Sequence, residues 1–221
     1  MEHLSKGQRL ALAPAIAGAV FHAELSLQGL ALDIASFGLD SRGQLLAESY
    51  MTFFNQPVTP CGGVAMRTVP GAQGFSFDVS RLPAAIERVV IAASIDGAGV
   101  MSQLQSGYLR LLNDSGEFAR FSFAGADFAA ERAVMLGEIY RRDGQWRFMA
   151  SGQGFNGGLD ALVAHFGGSV EQAPEKPAAP AGVDLEKRLQ QQAPQLVSLV
   201  KSAAVSLKKV GLDQHRAKVC L

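Results

Sequence analysis

Cysteine is scarce in this chain. Cys61 and Cys220 stand far apart and are the only two. They cannot build a disulfide framework, suit no metal-ligand spacing, and fit a reducing, cytoplasmic setting. An excess of charge is missing as well. Lys plus Arg number 20 and Asp plus Glu number 20. Balanced charge gives no electrostatic reason to expect nucleic acid or an anionic membrane as partner. No apolar run reaches the roughly 18 residues that span a bilayer. Histidine is limited to His3, His22, His165 and His215, none in a His-x-x-x-His or His-Glu-x-x-His arrangement. What is plentiful is apolar surface: 48% hydrophobic against 18% charged over 221 residues. That supports a sizeable core and excludes global disorder.

The N-terminal stretch admits two readings. Lys6 and Arg9 precede an apolar run to Val20, and Ala17-Gly-Ala19 has the small-x-small form of a cleavage site. That outlines a secretory signal peptide. Pro14, the alanine-rich run and Glu2 favour the other reading, a strand followed by a turn at Pro14.

Composition shifts at residue 171. Glu171 to Val183 reads EQAPEKPAAPAGV and cannot bury enough surface to offset its ordering entropy, so it reads as a linker. Before it, residues 1–170 read mainly as strands. One strand is expected from Glu24 to Leu39, with Leu30, Leu32 and Ile34 on one face and Gly29, Ala31, Asp33 and Phe37 on the other. Asp40-Ser-Arg-Gly43 is a turn, and Gln44 to Phe54 a second strand. Arg88 to Ile95 (RVVIAASI) has the β-branched profile of a buried strand. Tyr108–Leu112 and Phe118–Phe123 flank the turn Asn113–Gly116 as a hairpin. Arg132–Arg142 and Gln145–Ala150 flank Asp143-Gly144, a pair that tolerates the positive φ angles of a two-residue hairpin turn. Leu159–Phe166 reads as a helix stopped by Gly167-Gly168. The fold class is mainly β: a β-sandwich with one short helix, followed by a linker and a C-terminal helix.

In that tail, residues 184–221, Leu189, Ala193, Leu196, Val200, Ala203, Leu207 and Val210 alternate steps of four and three. This is a heptad seam, capped by Asp184 and interrupted at Pro194.

Catalytic constellations are sparse. His22 and Glu24 share a strand face but lack a third ligand at fixed spacing. Cys61, in Thr59-Pro-Cys-Gly-Gly63, has no basic neighbour in sequence to activate it, so an inert thiol is expected. Gly152, Gly154 and Gly157 resemble a phosphate cradle, but no dinucleotide-binding βαβ unit surrounds them; a tight helix entry is the expected role. Asp33 is the one carboxylate on its face, where a hard cation such as calcium wants six to eight oxygens.

Several motifs together resemble the TerD-type domain of bacterial tellurium-resistance and stress proteins, over residues 4 to about 170. They are Leu4-Ser-Lys-Gly-Gln8, Leu32-Asp-Ile-Ala-Ser-Phe37, Phe53-Phe-Asn55, and above all Gly137-Glu-Ile-Tyr-Arg-Arg-Asp-Gly-Gln-Trp-Arg-Phe148, continuing through Gly152-Gln-Gly-Phe and Gly157-Gly-Leu159. The resemblance implies a β-sandwich that is not an enzyme. It also implies calcium, held by aspartates of the first acidic strand and by a second acidic loop at about Pro60–Gly74. Here that loop reads PCGGVAMRTVPGAQG without one carboxylate, and Gly29 and Ala31 stand where the family typically has Asp. Asp33, Asn55 and Asp96 are the residual metal candidates. Three dispersed oxygen-bearing side chains leave much of a calcium shell to water and backbone carbonyls, so no cofactor is expected, or calcium only at low affinity.

The tail from Lys187 to Leu221 resembles the helix and first strand that lead into a von Willebrand factor A domain. On this reading such a domain follows as a partner in a longer protein. The function expected is a stress-response and tellurium-resistance module working through contacts with other stress-response or tellurium-resistance proteins. A calcium module with a reduced site and an enzyme using Cys61 are the alternatives.

Overall fold

The computed structural model describes residues 1–16, 19–95 and 97–168. Twelve strands among them form two six-stranded sheets. In chain order they are β1 (Glu2–Leu4), β2 (Arg9–Ala11), β3 (Val20–Gln28), β4 (Leu32–Leu39), β5 (Met51–Thr52), β6 (Val64–Val69), β7 (Ala72–Asp78), β8 (Arg88–Ile95), β9 (Ser106–Asn113), β10 (Gly116–Phe123), β11 (Ala133–Arg142) and β12 (Gln145–Phe155); the helix α1 is Gly158–His165. One sheet runs β1-β10-β9-β3-β7-β6 and the other β2-β12-β11-β8-β4-β5. All pairings are antiparallel except β1 with β10.

The sandwich core lies between the sheets. Phe21, Phe75, Phe77, Phe148, Leu109 and Ile91 are fully buried there. The second sheet is also covered on its outer side, over part of its area. Leu162, Val163 and Phe166 pack on Ala35, Phe37, Val90, Ala92 and Met135. Strands β4 and β8 are therefore buried on both faces, and the near-continuous apolar run of RVVIAASI follows from that double burial.

Local turn chemistry places the hairpins where the sequence predicts them. Asp143 and Gly144 take φ of 54° and 74°, as a two-residue hairpin turn requires. Asp40 closes its turn by accepting backbone N–H bonds from Arg42 at 2.8 Å and Gln44 at 2.9 Å. The helix ends at Gly167, whose φ is +73°.

Three expectations need correction. The strand expected over 24–39 is two strands in different sheets. It breaks at Gly29, where φ is +92° and a Cβ would lie 2.6 Å from Cγ of Gln105. Gly29 and Asp33 therefore share no strand face. The strand expected over 44–54 is a single 3-10 turn at Glu48–Tyr50 followed by the two residues of β5. Lastly, Pro60–Gly74 is not a loop: most of it is β6, the turn at Pro70-Gly71 and the start of β7. The linker at 171–183 and the seam at 184–221 lie outside the described residues. Among the described residues no helix is long and apolar enough to cross a membrane.

Candidate functional site

The start of β4 and the segment after β5 build one end of the second sheet. Asp33 is exposed there, directly opposite Ser94 of β8 in the sheet register. Asn55 stands at the tip of a tight turn in which Phe53 and Gln56 exchange backbone hydrogen bonds of 3.1 and 3.0 Å. The Gln56 side chain pins that turn by donating to the Glu48 carbonyl at 2.9 Å and to the Met51 carbonyl. Asp33 and Asn55 thereby line one groove of about 420 Å³, floored by Ala35, Met51, Phe53 and Val163. Phe54, beside Asn55 at the rim, is 65% exposed. Its ring meets Phe53 edge-on at 5.7 Å. The third candidate, Asp96, lies outside the described residues.

Asp33 also borders a second groove, of about 630 Å³, lined by Leu30, Ala31, Thr68, Val69, Gly71 and Gln73. The tip of the β6–β7 hairpin is thus brought beside the acidic start of β4. The fold assembles the two segments that the family resemblance pairs. In this chain the hairpin contributes a hydroxyl and an amide but no carboxylate. Among the described residues, no three His, Cys, Asp or Glu side chains gather as a metal ion would need. Asp33, Asn55 and Ser94 by themselves do not fit a calcium shell: one charge and four side-chain oxygens fall short of its six to eight ligands, and Glu48 is the one further carboxylate lining that groove.

The remaining candidates are held in structural roles. His22 and Glu24 do share the outer face of the first sheet. There His22 Nδ1 lies 2.9 Å from Ser76 Oγ, and burial, aided by nearby Arg67, lowers the imidazole pKa. Glu24 is 3% exposed and accepts from Arg67 Nε at 3.2 Å and from Arg110 at 2.7 and 3.0 Å. Arg120 stacks over the Tyr108 ring at 4.2 Å and pairs with Glu117 at 2.6 Å, and Glu117 lies 3.8 Å from Arg110, so acids and arginines alternate along one row of ion pairs. Sequence reasoning missed this row, although alternating polar residues in VFHAELSLQ and SGYLRLLN were its signal. Cys61 Sγ accepts from the Gly63 N–H at 3.3 Å. A basic group does lie close in space: a Cβ on Gly62 would sit 2.8 Å from the Arg81 guanidinium carbon. Gly152 and Gly154 form no cradle. Both lie inside β12, where the missing side chains make room for Lys6 and Glu131.

Comparison with known proteins gives a consistent picture. The TerD domain profile matches residues 1–166. Over 176 residues the chain is 31% identical to tellurium resistance protein TerA of Alcaligenes sp, covering 75% of this chain and 50% of that protein. The chain thus spans half the length of this relative. It is 30% identical over 149 residues to general stress protein 16U of Bacillus subtilis (strain 168), covering 62% of this chain and 77% of that one. A solved structure of a homologue of the telluride resistance protein TerD from Streptomyces coelicolor A3(2) superposes with a TM-score of 0.54 at 16% identity, over 68% of this chain and 98% of the other. That likeness shows the shared fold.

Proposed function

This chain belongs to the TerD domain family, and from that premise we propose that it is a non-enzymatic stress- and tellurium-resistance module, cytoplasmic, acting through protein contacts with its calcium site degenerate. One observation carries the reading. Where the resemblance implies a cation shell, the chain has a largely apolar groove lined by two carboxylate residues, Asp33 and Glu48, with an exposed phenylalanine at its rim. Apolar grooves with a few oriented polar groups are suited to holding an apolar partner segment. The partners we propose are other stress-response or tellurium-resistance proteins, and a von Willebrand factor A domain following the tail in a longer protein. The non-enzymatic reading is supported by the Ser76–His22 pair, a contact of nucleophile and base geometry. No carboxylate orients that imidazole by a hydrogen bond among the described residues.

Asp33, Asn55 and Ser94 on one end of the sheet favour a second reading, a calcium module with a reduced site. Two measurements separate them. Calorimetric titration of the full chain with calcium is expected to show no binding tighter than about 10⁻⁴–10⁻³ M. In a tellurite-challenged host lacking its own copy, Phe54→Ser is expected to abolish resistance while leaving the melting temperature unchanged, and Asp33→Ala to be silent. Loss of resistance with Asp33→Ala, together with a calcium-dependent melting shift in the unmodified chain, would establish the second reading instead.

A further inference from the structure

Helix α1 covers only part of the second sheet's outer face, resting on Ala92, Ala133 and Met135. Farther along the same strands the outward positions change character. Arg147, Tyr140 and Arg88 stand in one transverse row, directly opposite one another in register. The next row holds Arg9, Met149 and Glu138. Directly opposed residues have Cβ atoms about 4.5–5.5 Å apart, so long side chains from both rows share one patch.

The charges there are unevenly matched. Glu138 pairs with Arg88 at 3.1 Å. Among the described residues Arg9 and Arg147 make no ion pair, so three guanidiniums face one carboxylate. Two donors in the patch are also orphaned. The Arg147 Nε–H and the Tyr140 hydroxyl are shielded from solvent and have no hydrogen-bond partner among the described residues. A shielded donor left unbonded is costly, and native structures normally supply an acceptor. The acceptor that fits is an anion of charge near minus two with several oxygens, since planar guanidinium forks bind such groups in pairs. By contrast, the arginines of the first sheet are already engaged by Glu24 and Glu117.

We infer that Arg9, Arg88 and Arg147, with the Tyr140 hydroxyl between them, bind a dianionic phosphoryl group, either free phosphate or a phosphoryl carried on a partner protein. Glu138 is the one group in the patch that opposes the ligand. Its burial raises its pKa, against the pull of Arg88 and Arg9, so its repulsion is already weakened.

The test uses the full 221-residue chain at constant ionic strength in chloride. The Arg147 Nε–Hε resonance is followed during titration with inorganic phosphate, and separately with a phosphoserine peptide and its unphosphorylated twin. The resonance is expected to move and saturate. Arg147→Lys, which keeps the charge but loses the fork, is expected to weaken binding about tenfold. Glu138→Gln is expected to tighten it about threefold by removing the repulsion. Saturation by phosphate alone identifies the free anion as the ligand; response to the phosphopeptide alone identifies a partner-borne group. A resonance unmoved by both probes, or equal affinity in Arg147→Lys, overturns the inference.

Discussion

Glu24 is an acid on the outer face of a sheet that is nonetheless almost fully covered, and its covers are arginine side chains. Arg67 reaches it across β7, where Gly74 stands opposite it in the register. Replacing Glu24 with alanine would leave two guanidiniums facing each other over the vacated carboxylate. The expected loss is about 3 kcal/mol in urea unfolding, the low end for breaking a buried pair, because Arg67 and Arg110 are 39% and 28% exposed and water takes up part of their charge. Arg67→Ala should cost only about 1 kcal/mol, since Arg110 still satisfies the carboxylate.

Glu138 carries the opposite sign of effect. Burial raises its pKa from the ordinary 4.5 more than Arg88 and Arg9 lower it. The folded state then holds the carboxyl proton more tightly than the unfolded chain does. Ionisation therefore costs the fold, and stability falls as pH rises from about 4.5 through the raised value. Glu138→Gln is expected to melt higher than the unmodified chain at neutral pH. The advantage should vanish on acidification below 4.5, where both carry a neutral side chain; an advantage that grows in acid would contradict the assignment.

Among the elements, α1 is short and depends on what it covers. An eight-residue helix has little stability of its own, so it must be held by Leu162, Val163 and Phe166 on the sheet. Phe166 meets Phe37 at 5.2 Å between ring centroids. Leu162 is fully buried, and Leu162→Ala should cost about 2–4 kcal/mol. Amide exchange is expected to accelerate first in α1, with β9 and β10 of the other sheet still protected. Uniform loss of protection would mean that the helix is integral to the sandwich core. The hairpins are more self-sufficient, since the β11–β12 turn angles are set by Asp143 and Gly144 themselves.

Across the whole molecule, local chemistry was enough for the β-sandwich class, two of its hairpins, the buried strand β8 and its helix. Asp143-Gly144, Asn113–Gly116 and Gly167 act over a few residues, and RVVIAASI announces its burial by composition. The lack of carboxylates from Pro60 to Gly74 was legible too, whereas only the fold sets Asp33 and Asn55 on one groove. Long-range packing decided the rest. Gly29 ends β3 because the chain crosses between sheets beside Gln105, and nothing in the alternation of Leu30, Leu32 and Ile34 marks that crossing. Alternation reports which way a side chain points, not which sheet its strand joins. Glu24 meets Arg67 and Arg110, and Arg147 meets Tyr140 and Arg88, only after strands distant in sequence settle into register. Cross-strand contacts are set by that register, so sheet pairing alone could turn scattered charges into a closed ion-pair row on one face and an open basic patch on the other.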